Sequence, residues 1–143
     1  MGIAHRYLDS ADLLVTVWDG PIRGEEWLAL AQRHVNEPGF AEGTRRLTDA
    51  TTADISELTA ADVEAVSALY QEHALEMQEV RLAIVARAGF EIAQRAERDY
   101  AELGARTIVF VELAAACDWL GVDPEVVAPA IAGLREGLRS ELR

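Results

Sequence analysis

The sequence predicts an α/β domain: a mixed five-stranded sheet opened by a β-hairpin, continued by βα repeats and followed by an extra C-terminal helix. Three observations predict it. Short apolar runs such as Leu13–Trp18 and Ala105–Val111 alternate with segments whose apolar residues recur at helical spacing. The first two runs are separated only by the turn-forming Asp9-Ser10-Ala11-Asp12. After the last strand, Asp123-Pro124 opens one more helical segment. Strands alternating with helices imply parallel strands joined by right-handed crossovers.

Each element has its own signal. Ile3–Leu8 and Leu13–Trp18 are the hairpin strands, and Asp19-Gly20-Pro21 breaks the second. Gly24–Val35 is a helix with Trp27, Leu28, Ala31 and Val35 on one face. Glu25 and Glu26 suit the positive end of its dipole, and Pro38-Gly39 ends it. A loop through Phe40 and Gly43 leads to a third strand, Arg45–Ala50, and then a polar loop over Thr51–Leu58. Thr59-Ala60-Ala61-Asp62 has the form of a capping box, with Asp in place of the usual Glu. The helix behind it carries Val63, Val66, Leu69 and Tyr70.

Glu79–Ala86 is the fourth strand, and Phe90–Leu103 is a helix closed by Gly104. Ala105–Val111 is the fifth strand, and Leu113–Leu120 is a short helix stopped by Gly121. Asp123 is a good N-cap for the last helix, whose apolar face is Val127, Ala130, Ile131, Leu134 and Leu138. The expected organisation is one α/β domain over residues 3–121 and a helical extension over 122–143. Trp18, Trp27 and Trp119 each fall on an apolar face and are expected in the core.

Charge and chemistry narrow the function classes. The formal net charge is −12, from 25 acidic residues against 13 arginines, with no lysine. Such a surface repels phosphate backbones and anionic headgroups, so neither nucleic acid nor a membrane is an expected partner. The acids are dispersed along the chain and read as a solvated face. The single cysteine, Cys117, cannot form an internal disulfide, and the first ten residues lack a signal-peptide core; a cytoplasmic setting is expected.

His5, His34 and His73 form no metal-ligand spacing; His73 and Glu76, three apart, read as surface chemistry. Cys117 has no sequence-local base and reads as a buried, inert thiol. No glycine-rich phosphate loop and no Gly-x-Ser-x-Gly elbow occurs. The expectation is therefore a protein without catalytic residues, metal or cofactor. Thr59 has a structural role available as the cap of the Asp62 amide. The same helix N-terminus would stabilise a phosphate on Thr59 or a bound anion, with Ser56, Thr51 and Thr52 as weaker acceptors.

The opening hairpin, the Asn36–Phe40 loop, Leu47-Thr48-Asp49-Ala50-Thr51, Ala83-Ile84-Val85-Ala86 leading into Gly89-Phe90, and above all Val109–Leu113 through Asp118–Gly121 resemble a STAS domain. The chain is most similar to the small stand-alone bacterial STAS-like proteins, over roughly residues 3–121. The resemblance implies the fold of anti-sigma-factor antagonists and a non-enzymatic regulatory or protein-interaction module. In regulatory STAS domains, a Ser or Thr opening the helix after the third strand accepts phosphate. The nearest position here is Thr59, without the Asp before it and the Ser-Gly after it that usually accompany such a residue. The resemblance also implies docking of a protein partner near the first or second helix. The alternative reading is a carrier or sensor for a small apolar or anionic ligand, which requires a large apolar pocket.

The strands are apolar on both faces, so both faces need cover. Crossover helices are expected on one face, leaving Trp18, Val85 and Val109 on the other. The expected cover is the last helix, through Val127, Ile131, Leu134 and Leu138. It reaches either its own sheet or a second copy, and a homodimer is the favoured expectation.

Overall fold

The computed structural model describes residues 2–37 and 39–141. Its five strands are β1 (Ile3–Leu8), β2 (Leu13–Pro21), β3 (Arg45–Asp54), β4 (Arg81–Val85) and β5 (Arg106–Phe110), in spatial order β1-β2-β3-β4-β5. β1 pairs antiparallel with β2, and every later pair is parallel. The helices are α1 (Gly24–Val35), α2 (Ala60–Gln71), α3 (Ala74–Met77), α4 (Phe90–Glu102), α5 (Leu113–Leu120) and α6 (Pro124–Ser140). Pro38, expected to help close α1, lies outside the described residues.

Two layers of helix sandwich the sheet. α1, α2 and α4 cover one face, where Trp18, Trp27, Leu30, Val63, Val66 and Tyr100 form a core. α5 and α6 cover the other, where Leu13, Val15, Val17, Leu47, Val85 and Leu120 form a second core. Val127, Ile131 and Leu138 of α6 are buried in that second core, and Leu134 is half-buried beside it. Within the chain, α6 thus packs on its own sheet.

Ion pairs fix α6 in place. Arg139 donates to both carboxylate oxygens of Asp19, each at 3.1 Å, and Arg135 donates to Asp49 at 3.0 Å. The Arg139 hydrogen bond holds the Asp19 carboxyl below its usual pKa against the opposing effect of burial. At the opposite end of the sheet, Arg45 and Arg81 donate to the Leu120 and Trp119 carbonyls, capping the C-terminus of α5.

Three expectations need correction. Trp18 and Val85 do not share a face: Trp18 packs with Trp27 under α1, whereas Val85 lies in the core under α5 and α6. The strand register decides this. Ile84 pairs with Val109 and with Thr48, so Val109 belongs to the face opposite Val85. The polar loop expected from Thr51 is strand as far as Asp54, because β2 itself runs on through Gly20 to Pro21 and pairs with it. Pro21 is tolerated because it is the terminal strand residue. In α1, Leu30 and His34 are fully buried, while Leu28 and Val35 are only partly so.

Candidate functional site

The floor of the site follows from strand periodicity. Side chains alternate between faces, and parallel strands in register present matching rows. Leu14, Arg46, Leu82 and Thr107 form one row, and Thr16, Thr48, Ile84 and Val109 the next. This face, roofed by α1, α2 and α4, carries Arg46 and three threonines among its apolar residues. Arg46 is 6% exposed, Thr16 3% and Thr107 4%, so all three have been taken out of water.

Between floor and roof lies a cavity of about 100 Å³. Its wall is mainly apolar, including Leu30, Ala53, Ile55, Ile84 and Ile92. Gly89 also borders it, with φ +75°, and a Cβ there would overlap Ile55 Cδ1. This close approach, together with the left-handed backbone, accounts for glycine at the start of α4.

The polar atoms of this wall are unusual. Among the described residues, five buried side-chain polar atoms have no hydrogen-bond partner: Trp18 Nε1, His34 Nε2, Arg46 Nε, Arg46 Nη2 and Thr107 Oγ1. All four residues border the one cavity. Buried polar groups are ordinarily satisfied, and each failure costs about 1–3 kcal/mol.

No carboxylate pairs with Arg46 among the described residues. Its guanidinium instead lies 4.8 Å from the Phe40 ring centroid and 5.8 Å from that of Tyr70. Burial raises the Tyr70 hydroxyl pKa, with the charge of Arg46 and then a hydrogen bond from it acting in the other direction, and burial raises Tyr100 well above the usual value. Neither tyrosine therefore supplies a negative charge at neutral pH. Burial first, then Arg46 and then His5, push His34 down to about 3, so its imidazole is neutral. Arg46 and His34 also border a second pocket of about 440 Å³ with Tyr7, Asp9, Glu37 and Phe40. The two side chains thus stand between the inner cavity and this outer one.

The residues singled out from sequence lie elsewhere. Thr59 and Ser56 are exposed and do not border the cavity. Thr59 is the N-cap of α2: its hydroxyl accepts from the Asp62 amide at 3.4 Å, and the Asp62 carboxylate accepts from the Thr59 amide at 2.9 Å. Ser56 donates both its amide and its hydroxyl to Asp54. Thr51 and Thr52 bond the carboxylates of Asp49 and Asp19. Cys117 is buried, which raises its thiol pKa. His73 packs edge-on against Phe40, and among the described residues no group of three or more His, Cys, Asp or Glu is arranged to hold a metal. No helix is long and apolar enough to cross a membrane, among the described residues.

Sequence reasoning missed Arg46 and His34. The signal for Arg46 was present: it shares strand parity with Thr48 and Ala50 on a strand that must sit inside the sheet. His34 lies seven residues after Trp27, two turns along the same helix face.

No family model matches the chain, and no curated protein matches it. Among solved structures, it is similar to an uncharacterized protein from the DUF3478 family with a SpoIIAA-like fold, from Shewanella loihica PV-4. The identity is 22%, the TM-score is 0.55, and the match covers 83% of this chain and 94% of that one. The five-stranded mixed sheet with its alternating helices is thus the SpoIIAA-like, STAS-like fold.

Proposed function

We propose that the protein is a non-enzymatic binding module that holds a small, largely apolar ligand in the cavity between the sheet and α1, α2 and α4. The reading rests on one observation: every buried, unpartnered side-chain polar atom among the described residues borders that cavity. The cavity, at about 100 Å³, is not the large pocket expected of a carrier and limits the ligand to a small one; an apolar wall with a few unsatisfied polar groups is the general character of a small-molecule site. A carrier or sensor role agrees with the fold, and a sensor would pass occupancy to a protein partner. Docking of such a partner on α1 or α2 is supported by the fold likeness alone.

The experiment is a titration of ¹⁵N-labelled protein with 1-butanol, isobutanol and butyrate, followed through the three tryptophan indole N–H signals. Trp18 borders the cavity and has an unpartnered Nε1, whereas Trp119 packs on Phe110 on the α5 side. Binding in the cavity shifts the Trp18 indole signal, saturably, and leaves that of Trp119 in place. If no compound shifts Trp18 selectively, the cavity is not a ligand site.

A further inference from the structure

The geometry points to a small monocarboxylate as the ligand, its carboxylate held side-on by Arg46 Nε and Nη2 and its short apolar chain lying among Ile55, Ile84 and Ile92. This rests on the reading of the cavity as a ligand site and adds the chemical class. The two unpartnered nitrogens of Arg46 are the adjacent pair on one edge of the guanidinium. Their N–H bonds run parallel and match the two oxygens of a carboxylate, the bidentate arrangement that makes such pairs strong and directional.

Charge fixes the number of negative groups. Among the described residues, one arginine borders the cavity, and the only other basic side chain on its wall is His34, which is neutral. On the cavity wall Tyr70 and Tyr100 are protonated. The carboxylates near Arg46, Asp9 and Glu37, line the outer pocket, where Glu37 is hydrogen-bonded to His5 at 2.7 Å, and among the described residues neither forms an ion pair with Arg46. A single buried positive charge is neutralised by a monoanion, whereas a phosphate dianion would leave an uncompensated charge in apolar surroundings. Size limits the rest. A 150 Å³ apolar cavity holds benzene, and this one is about 100 Å³, so a chain of about three to five carbons fits without displacing the wall. Thr107 Oγ1 and Trp18 Nε1 supply further unpartnered polar atoms along the wall, suited to a hydroxyl or keto group on that chain.

The test is calorimetric and NMR titration of the full chain, at fixed ionic strength and pH 7, with butyrate, butyramide, 1-butanol, octanoate and inorganic phosphate. Butyrate is expected to bind at least about ten-fold more tightly than butyramide or 1-butanol, since a hydrogen-bonded charge pair is stronger than a neutral one. Octanoate and phosphate are expected to bind more weakly than butyrate. In Arg46→Met the preference for acid over amide disappears while 1-butanol still binds. In Arg46→Lys, which keeps the positive charge but gives up the paired N–H edge, only part of the preference for acid over amide remains, so an Arg46→Met variant that fails to fold does not leave the matter open. Equal binding of butyrate, butyramide and 1-butanol would overturn the carboxylate assignment and leave the ligand-site reading standing. Phosphate binding tighter than butyrate would overturn it too. Loss of all binding, neutral and acidic alike, would overturn both.

Discussion

A residue kept for ligand binding at the expense of stability should stabilise the protein when it is replaced. Arg46→Met tests this directly. Methionine keeps an unbranched apolar stem and removes the guanidinium, which is 6% exposed and has two nitrogens without partners. Leaving a buried donor unsatisfied costs about 1–3 kcal/mol, and replacing buried charged groups by apolar ones of similar volume is neutral to stabilising by about 1–4 kcal/mol. Against this, the substitution abolishes the cation–π attraction of the guanidinium to the Phe40 and Tyr70 rings, at 4.8 and 5.8 Å. That attraction is worth about 0.5–2 kcal/mol. The balance favours the variant by about 1–2 kcal/mol, which raises Tm by about 3–8 °C for a chain of this size. Differential scanning calorimetry and urea titration of the ligand-free protein measure it. A variant destabilised by 2 kcal/mol or more would show that Arg46 is well satisfied in the fold, and would refute a ligand-binding reading of its orphaned nitrogens.

Three further outcomes follow from other parts of the molecule. His34 titrates near 6.5 when unfolded and at about 3 when folded. Between those values the unfolded chain binds the extra proton, so stability falls as pH drops, by about 1.4 kcal/mol per unit below pH 6. Urea midpoints at pH 7, 6 and 5 should therefore fall more steeply in the wild type than in His34→Leu, and parallel curves would refute a neutral buried imidazole. Thr59→Ala and Asp62→Ala should each cost about 1 kcal/mol in a denaturant titration, because each removes half of the capping box of α2; an unchanged midpoint in both would mean that α2 does not start there. Deleting residues 123–143 uncovers Val15, Val17 and Leu47, which are 0% exposed under α5 and α6. Size-exclusion chromatography with light scattering should then show aggregation or a new mass state, and a soluble protein of unchanged mass state and Tm would show that α6 seals nothing.

The elements were legible because their signals are local. Apolar runs marked four of the strands, while β3, Arg-Arg-Leu-Thr-Asp-Ala at its start, carried a weaker signal and the short α3 carried none. Chemistry at single termini marked helix starts: Asp123 caps α6, and Thr59 with Asp62 caps α2. The end of β3 was not legible, because Thr51–Asp54 becomes strand only by pairing with the continuation of β2, which no local signal encodes. The grouping of Trp18 with Val85 failed for a related reason. Parity within one strand is readable, but relating the parity of two strands requires their register. The cavity was least legible. It depends on Arg46, Thr107, His34 and Trp18, which belong to three strands and a helix and meet only when the sheet is roofed. In the sequence, Arg46 is one of 13 arginines, and only its place on an interior strand distinguishes it.

The return of α6 across the far face of the sheet shapes how the chain is made. Arg135 reaches back 86 residues to Asp49, and Arg139 reaches back 120 residues to Asp19. During synthesis the hairpin and β3 emerge well before the helix that shields Leu13, Val15 and Leu47. Until α6 arrives, those strands present an apolar surface with nothing of their own to cover it. Contacts so distant in sequence form slowly, since a long loop must close before they contribute. The nascent chain therefore passes through an interval of exposed sheet, the kind of intermediate that aggregates or engages chaperones. Folding rate and yield should accordingly be more sensitive to the last two turns of α6 than to any comparable stretch of α1.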